Sequence, residues 1–140
     1  MNFKGGTMND RFKFRVWAKP DEKTDTEGYY VDDADYMVMH PDGTAEITYY
    51  VDDGYAGKID RFEQDEIIIE QCTGLKDKNG NLIYEGDIIL VEDKYKCPIE
   101  WEAENARYNV IGYGEIAYLN YNDIEVIGNI HENTELLKEE

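Results

Sequence analysis

The carboxylates of a repeated Tyr-Tyr-Val-Asp-Asp phrase are the residues best typed for chemistry. It stands at Tyr29-Tyr30-Val31-Asp32-Asp33 and again at Tyr49-Tyr50-Val51-Asp52-Asp53, twenty residues on. Paired aspartates at a hairpin are how some nucleotidyl transferases hold magnesium. That site needs a third carboxylate on another strand and a catalytic domain larger than 140 residues. Duplication at so short an interval points instead to a strand-to-turn design used twice. Asp32, Asp33 and Asp35 could gather only a hard cation, weakly.

The remaining motifs fail on their details. Asp77-Lys78-Asn79-Gly80-Asn81 resembles the start of a calcium-binding EF-hand loop, but Leu82 stands where that loop needs glycine and Ile88 where it needs glutamate. Gly112-Tyr113-Gly114-Glu115-Ile116-Ala117 satisfies the dinucleotide fingerprint formally. Residues 118–124 have no helical periodicity, so the glycines read as a bulge or tight bend. The chain has no serine, which excludes a Ser-His-Asp triad. Cys72 and Cys97 lie in no CxxC arrangement, and with only His40 and His131 they assemble no zinc set. Both thiols read as reduced and structural. No catalytic, cofactor-binding or metal-ligating residue is therefore assigned, and no cofactor is expected.

A formal charge of −18 bounds the partners. Residues 1 to 20 carry five Lys/Arg (Lys4, Arg11, Lys13, Arg15, Lys19) against Asp10 alone, so the acidity lies beyond them. Such a surface repels phosphate backbones, because nucleic-acid affinity is driven by basic residues releasing counterions. Direct nucleic-acid binding is not expected. The acidity reads either as solubility or as an imitation of nucleic acid that attracts a basic protein. No stretch is apolar enough to span a bilayer, and the N-terminus lacks the apolar region of a secretory signal, so a cytoplasmic address is expected.

The elements that would position these residues are strands. Arg11 to Trp17 alternates, placing Phe12, Phe14 and Val16 on one face and Arg11, Lys13, Arg15 and Trp17 on the other. Pro41-Asp42-Gly43 turns between two strands, and Ile67-Ile68-Ile69 reads as a buried strand. Asn79-Gly80 predicts a type I′ hairpin turn. Glu85-Gly86-Asp87 makes a second tight turn before Ile88–Val91, and Asp93 to Lys96 an exposed one. Further strands are expected at 98–101, 108–111, 116–119 and 124–127. Asn133 or Thr134 would cap a closing helical turn.

Three blocks carry a family resemblance. Thr73 to Ile89 (TGLKDKNGNLIYEGDII), Ile124 to Asn133 (IEVIGNIHEN) with Glu135-Leu136-Leu137, and the opening Arg11 to Trp17 together resemble the YopX family of phage and prophage proteins. Where that family usually reads Asn-Pro-Glu-Leu, this chain has Asn133-Thr134-Glu135-Leu136. The resemblance implies a bacteriophage or prophage gene and a C-terminal barrel of the Src-homology-3 kind behind a variable N-terminal region. It implies no activity.

The expected architecture is mainly β with little helix. It comprises a flexible lead-in at 1–10, a β-rich meander or hairpin region at 11–65, and a small barrel at 66–140. Leu82, Tyr84, Ile88, Leu90, Trp101, Val110, Ile116, Tyr118, Val126 and Ile130 would supply much of the barrel interior, with Gly86 and Gly128 at bends or bulges. The expected role is a non-enzymatic accessory protein that binds a protein partner or self-assembles as a homo-oligomer. The alternatives are an acidic decoy for a basic nucleic-acid-binding host protein and, more remotely, a carboxylate and divalent-metal enzyme.

Overall fold

The computed structural model describes residues 10, 13–31, 36–50 and 57–138. Most of the lead-in, Phe12, and the aspartates at 32, 33, 35, 52 and 53 lie outside the described residues. The elements are β1 (Phe14–Ala18), β2 (Tyr29–Tyr30), β3 (Tyr36–Met39), β4 (Ala45–Tyr50), β5 (Gly57–Phe62), β6 (Ile67–Lys76), β7 (Leu82–Tyr84), β8 (Asp87–Val91), β9 (Tyr95–Glu102), β10 (Arg107–Val110), β11 (Gly114–Glu115) and β12 (Ile124–Asn129). They form three antiparallel sheets of order β2-β1-β6-β7, β3-β4-β5 and β11-β10-β9-β8-β12. Short 3-10 turns punctuate the strands, and no α-helix occurs among the described residues. Contacts divide the chain into two compact units, Arg15–Ile69 and Met1–Phe14 with Glu70–Glu140.

In the Arg15–Ile69 unit, β3, β4 and β5 make a meander. The β3–β4 turn has His40 N donating to Thr44 O at 2.9 Å and Gly43 N to His40 O at 3.0 Å. Gly43 takes φ +86°, the left-handed position that closes a type I turn into a hairpin. Asp42 fixes this turn by accepting from Thr44 N at 3.0 Å and Thr44 Oγ1 at 2.7 Å. These bonds hold its carboxyl below the usual aspartate range. Val16, Ala45 and Ile67 form the core, with Val31, Phe62 and Ile69 against it. Two expectations are corrected in this unit. Trp17, placed by alternation on the basic face of β1, is buried, because its ring packs edge-on against Tyr30 at 4.9 Å and fills the space that side-chain-free Gly28 leaves. Of the three isoleucines at 67–69, Ile68 is exposed, because β6 alternates and presents it outward.

The Glu70–Glu140 segment builds a five-stranded sheet curled into a half-barrel. Its core is Ile83, Ile89, Val91, Cys97, Ile99, Val110, Ile116 and Ile124. Fully burying one such isoleucine contributes about 1.5–3 kcal/mol. The sheet's curl is assisted at β12, where Val126 opposes Ile89 and Gly128 opposes Ile88, leaving Ile127 as an extra residue in a bulge. Of the expected interior, Ile88, Val110 and Ile116 are buried, and Leu82, Tyr84, Leu90, Val126 and Ile130 are half-buried. Tyr118 and Trp101 are exposed instead, at 83% and 42%. Residues 116–118 form a 3-10 turn rather than a strand, closed by Leu119 N donating to Ile116 O at 3.0 Å, and Tyr118 swings outward. Trp101 has the same strand parity as Cys97 and Ile99 but lies at the end of β9, past the last core residue.

Turn chemistry also departs from expectation. At 77–80 only Gly80 takes positive φ, so the hairpin is a type I turn with a left-handed glycine, the same design as 40–43. Both central positions of a type I′ turn are filled at Glu92-Asp93, with φ +55° and +56°, and Lys94 N donates to Val91 O at 3.1 Å. The closing turn at Thr134–Leu137 is not capped by a side chain. Asn133 Oδ1 accepts instead from Asn129 N at 3.1 Å.

Asp77 is fully buried, and its carboxylate is used up by the backbone. Oδ1 accepts from Asn79 N and Asn81 N, each at 2.9 Å, and Oδ2 accepts from Val126 N at 2.8 Å. The first two bonds shape the β6–β7 hairpin, and the third fastens that hairpin to the outer edge of β12. Lys78 N adds a bond to Ile124 O at 3.1 Å.

Asp77→Asn should lower stability by about 2 kcal/mol, because its Nδ2 would face the Val126 N–H donor. The urea midpoint of unfolding reads this, and an unchanged midpoint would contradict that role for the carboxylate. Replacing Glu92-Asp93 by Asn-Gly should raise stability by about 1 kcal/mol, since that pair adopts positive φ with less strain.

Candidate functional site

The best candidate for concentrated chemistry is one the motifs did not reveal. Glu70 lies on β6 with 2% of its surface exposed, and its Oε2 is 3.2 Å from His131 Nε2 in the turn after β12. A buried carboxylate beside an imidazole is the pairing that orients a general base in many hydrolases. In this protein the pair packs on a turn. A Cβ on Gly86 would collide with Glu70 Oε2, so the carboxylate occupies the place where any other residue's side chain would begin. Gly86 also takes φ +86°, which independently favours glycine.

The turn carrying Gly86 is tied on several sides. Tyr84 N donates to Asp87 Oδ2 at 2.7 Å, Gly86 N to Ile99 O at 2.9 Å, and Ile130 N to Gly86 O at 2.9 Å. Asn129 pairs with Asp87 across the ladder, and its Oδ1 accepts from His131 N and Glu132 N at 3.0 and 2.9 Å. The blocks 73–89 and 124–133 therefore meet here and at Asp77. Gly86 and Gly128 stand at a turn and beside a bulge, as expected.

The structure separates the other nominated residues. His40 lies 3.9 Å from Glu46 in the Arg15–Ile69 unit, where Arg61 also pairs with Glu46 at 2.5 Å. Cys72 and Cys97 are free and buried, and burial pushes both thiols above the ordinary cysteine range. Gly112 and Gly114, both at positive φ, form the β10–β11 turn, which removes the dinucleotide reading. Among the described residues no group of three or more His, Cys, Asp or Glu is arranged to hold a metal ion. No helix among them is long and apolar enough to cross a membrane.

Two surface features remain. A cleft of about 140 Å³ in the Arg15–Ile69 unit is walled by Tyr29 and Phe62 with Lys19, Asp21 and Glu66 at its rim. Exposed aromatic residues gather on the half-barrel. Trp101 and Tyr108 meet edge-on at 4.9 Å, and Tyr95 and Tyr113 at 5.5 Å. Glu70 left a faint sequence signal, a charge directly after three isoleucines on a strand. His131 left none beyond its place in a recognisable block.

The fold and this junction define a class of small all-β protein: a curled five-stranded sheet and a meander, with the most recognisable sequence at the joins between strands. The chain belongs to the YopX family, since the model described as YopX protein matches residues 13–138. It is also similar to the crystal structure of protein EF1440 from Enterococcus faecalis, at 24% identity and TM-score 0.57, covering 90% of this chain and 97% of that one. That likeness concerns fold alone. No curated protein matches the chain.

Gly86→Ala should cost more than about 3 kcal/mol, combining left-handed strain with displacement of a buried carboxylate. In the Gly86→Ala/Glu70→Ala pair the losses should be clearly less than additive, measured as a double-mutant cycle in urea. Additive losses would show that the two residues do not meet. Cys72 and Cys97 should react with an aromatic disulfide reagent at least about 100-fold more slowly in native protein than in denaturant.

Proposed function

We propose that this chain is a non-enzymatic, phage- or prophage-encoded accessory protein that works by binding another protein. The observation that carries the reading is how polar and apolar groups are allotted. The buried carboxylates of Asp77 and Asp87 accept from backbone N–H groups, and that of Glu70 is wedged between Gly86 and His131. Large aromatic side chains meanwhile stand at the surface of the half-barrel. Groups committed to holding turns are poorly placed to act on a substrate, while exposed Trp and Tyr are the residues that dominate protein interfaces.

On this reading the half-barrel is a barrel of the Src-homology-3 kind, an assignment favoured by five antiparallel strands with strong curl. The protein acts in the cytoplasm of the bacterial host, assembles as a homo-oligomer or on a protein partner, and does not bind nucleic acid directly. The net charge of −18 favours a second reading, an acidic decoy for a basic nucleic-acid-binding host protein.

The test is capture from a phage-carrying host lysate at low and high salt, with light-scattering mass measured in parallel. The leading reading expects a partner or an oligomer that survives high salt. A partner released by salt and displaced by added DNA would favour the decoy. A monomer that captures nothing under either condition would sink both.

A further inference from the structure

Asn79 is the one asparagine of this chain that glycine follows. Such a pair is prone to succinimide chemistry, because a following residue with no side chain leaves its backbone nitrogen open to approach the amide. Gly80 N gives up its proton to hydroxide or water and bonds to Asn79 Cγ. The Cγ–Nδ2 bond breaks and ammonia leaves. Water then opens the ring at either carbonyl, so position 79 becomes an aspartate or an isoaspartate. In the isoaspartate the backbone runs through Cβ and is one atom longer.

Access does not hold this reaction back. Asn79 and Gly80 are exposed, and the space beside Gly80 is open. The amide itself makes one long bond, Nδ2 donating to Glu125 Oε1 at 3.4 Å. Restraint comes from the backbone. Gly80 N donates to Asp77 O at 3.0 Å, and Asp77 Oδ1 accepts from Asn79 N and Asn81 N, each at 2.9 Å. Asn79 stands at the third position of the type I turn, where ψ is about 0°. Ring closure must align Gly80 N with Cβ, a rotation of roughly 120° about the Cα–C bond from that ψ. The rotation takes Gly80 N–H away from Asp77 O and pulls Asn81 off the carboxylate. Asp42-Gly43 shares the turn design, but Asp42 is a carboxylate bonded by Thr44 N and Oγ1, a far poorer target for a nucleophile.

We propose that Asn79 is a latent deamidation site, protected while Asp77 holds the 77–81 hairpin and consumed when the hairpin opens, so that opening this joint becomes permanent. The product resists reclosure in two ways. A carboxylate at position 79 faces Glu125 where the amide now donates. The longer backbone of the isoaspartate also misplaces the two N–H groups that share Asp77 Oδ1. The hairpin then loses its hold on Val126 N–H and on the Ile124 carbonyl. None of this depends on what the protein binds.

The test incubates the full chain in mildly alkaline buffer, native and in guanidinium above the unfolding midpoint. Peptide mapping and isoaspartyl methyltransferase labelling follow position 79. Native protein should convert at least about 30-fold more slowly than denatured protein, the protection given by two or three directed bonds that opening must break. Asp77→Asn should speed native conversion about 10-fold or more. Guanidinium below the midpoint should accelerate the wild type likewise, which keeps the clamp testable if that variant does not fold. Refolded product should unfold at a lower denaturant midpoint than unreacted protein, and Glu125→Gln should shrink the difference.

Equal rates in native and denatured protein would overturn the protection by Asp77. Conversion at position 79 in neither state would overturn the site itself. A refolded product as stable as unreacted protein would show that the joint recloses, and the latch would fall.

Discussion

The half-barrel depends on one buried carboxylate being answered from two directions. Asp77 folds the 77–81 hairpin onto itself with one oxygen and holds the edge of β12 with the other. A group so buried is tolerable only because each oxygen accepts directed N–H bonds. The constraint sets register as well as stability. Ile124 C=O and Val126 N–H point outward to the 77–81 hairpin, Glu125 between them stands opposite Leu90 of β8, and the bulge after Val126 comes before Gly128 resumes pairing. The same logic repeats at Asp87, whose Oδ2 accepts from Tyr84 N, and at Glu70, whose Oε2 lies 3.2 Å from His131 Nε2 in the room that Gly86 leaves.

An interior that uses acids as acceptors sits inside a chain whose exterior is overwhelmingly acidic, and the two populations do different work. Inside, carboxylates substitute for missing backbone acceptors at turns. Outside, few basic residues are available to them, and several of those are engaged. Lys78 lies between Asp93 and Glu125 at 3.7 and 3.5 Å, and Arg61 pairs with Glu46. Such exposed pairs contribute little to stability. The stability of the fold therefore rests on the isoleucine-rich core and the turn carboxylates, while the surface charge is left to govern encounters with other molecules.

Much of the fold is legible where local chemistry and burial agree. Alternating strands, the Pro41-Asp42-Gly43 turn and the bends at Gly86 and Gly128 all follow from residue type. Legibility fails where a residue obeys strand parity but lies past the core, as Trp101 does, or where a short run closes into a 3-10 turn, as at Ile116–Tyr118. Alternation misplaces Trp17 because it cannot anticipate a ring packed into the space beside Gly28. The Glu70 and His131 junction is beyond reach for a simpler reason. The partners are 61 residues apart, and no local motif links them. The blocks that resemble the family are the joints of the scaffold, so recognising them gives the architecture without giving a reaction.

The long reach of these joints has a consequence for biosynthesis. Asp77 waits for Val126, 49 residues later, and Glu70 for His131. As the chain leaves the ribosome, β6 to β9 emerge with two carboxylates that have yet to meet these partners and must stay in water, so the strands bearing them cannot settle into a dry interior. The polar pairing of the half-barrel is therefore complete only once β12 and its turn have emerged. A nascent chain of this kind exposes its isoleucine-rich strands for that interval, and the dense negative charge along it keeps neighbouring copies apart until closure.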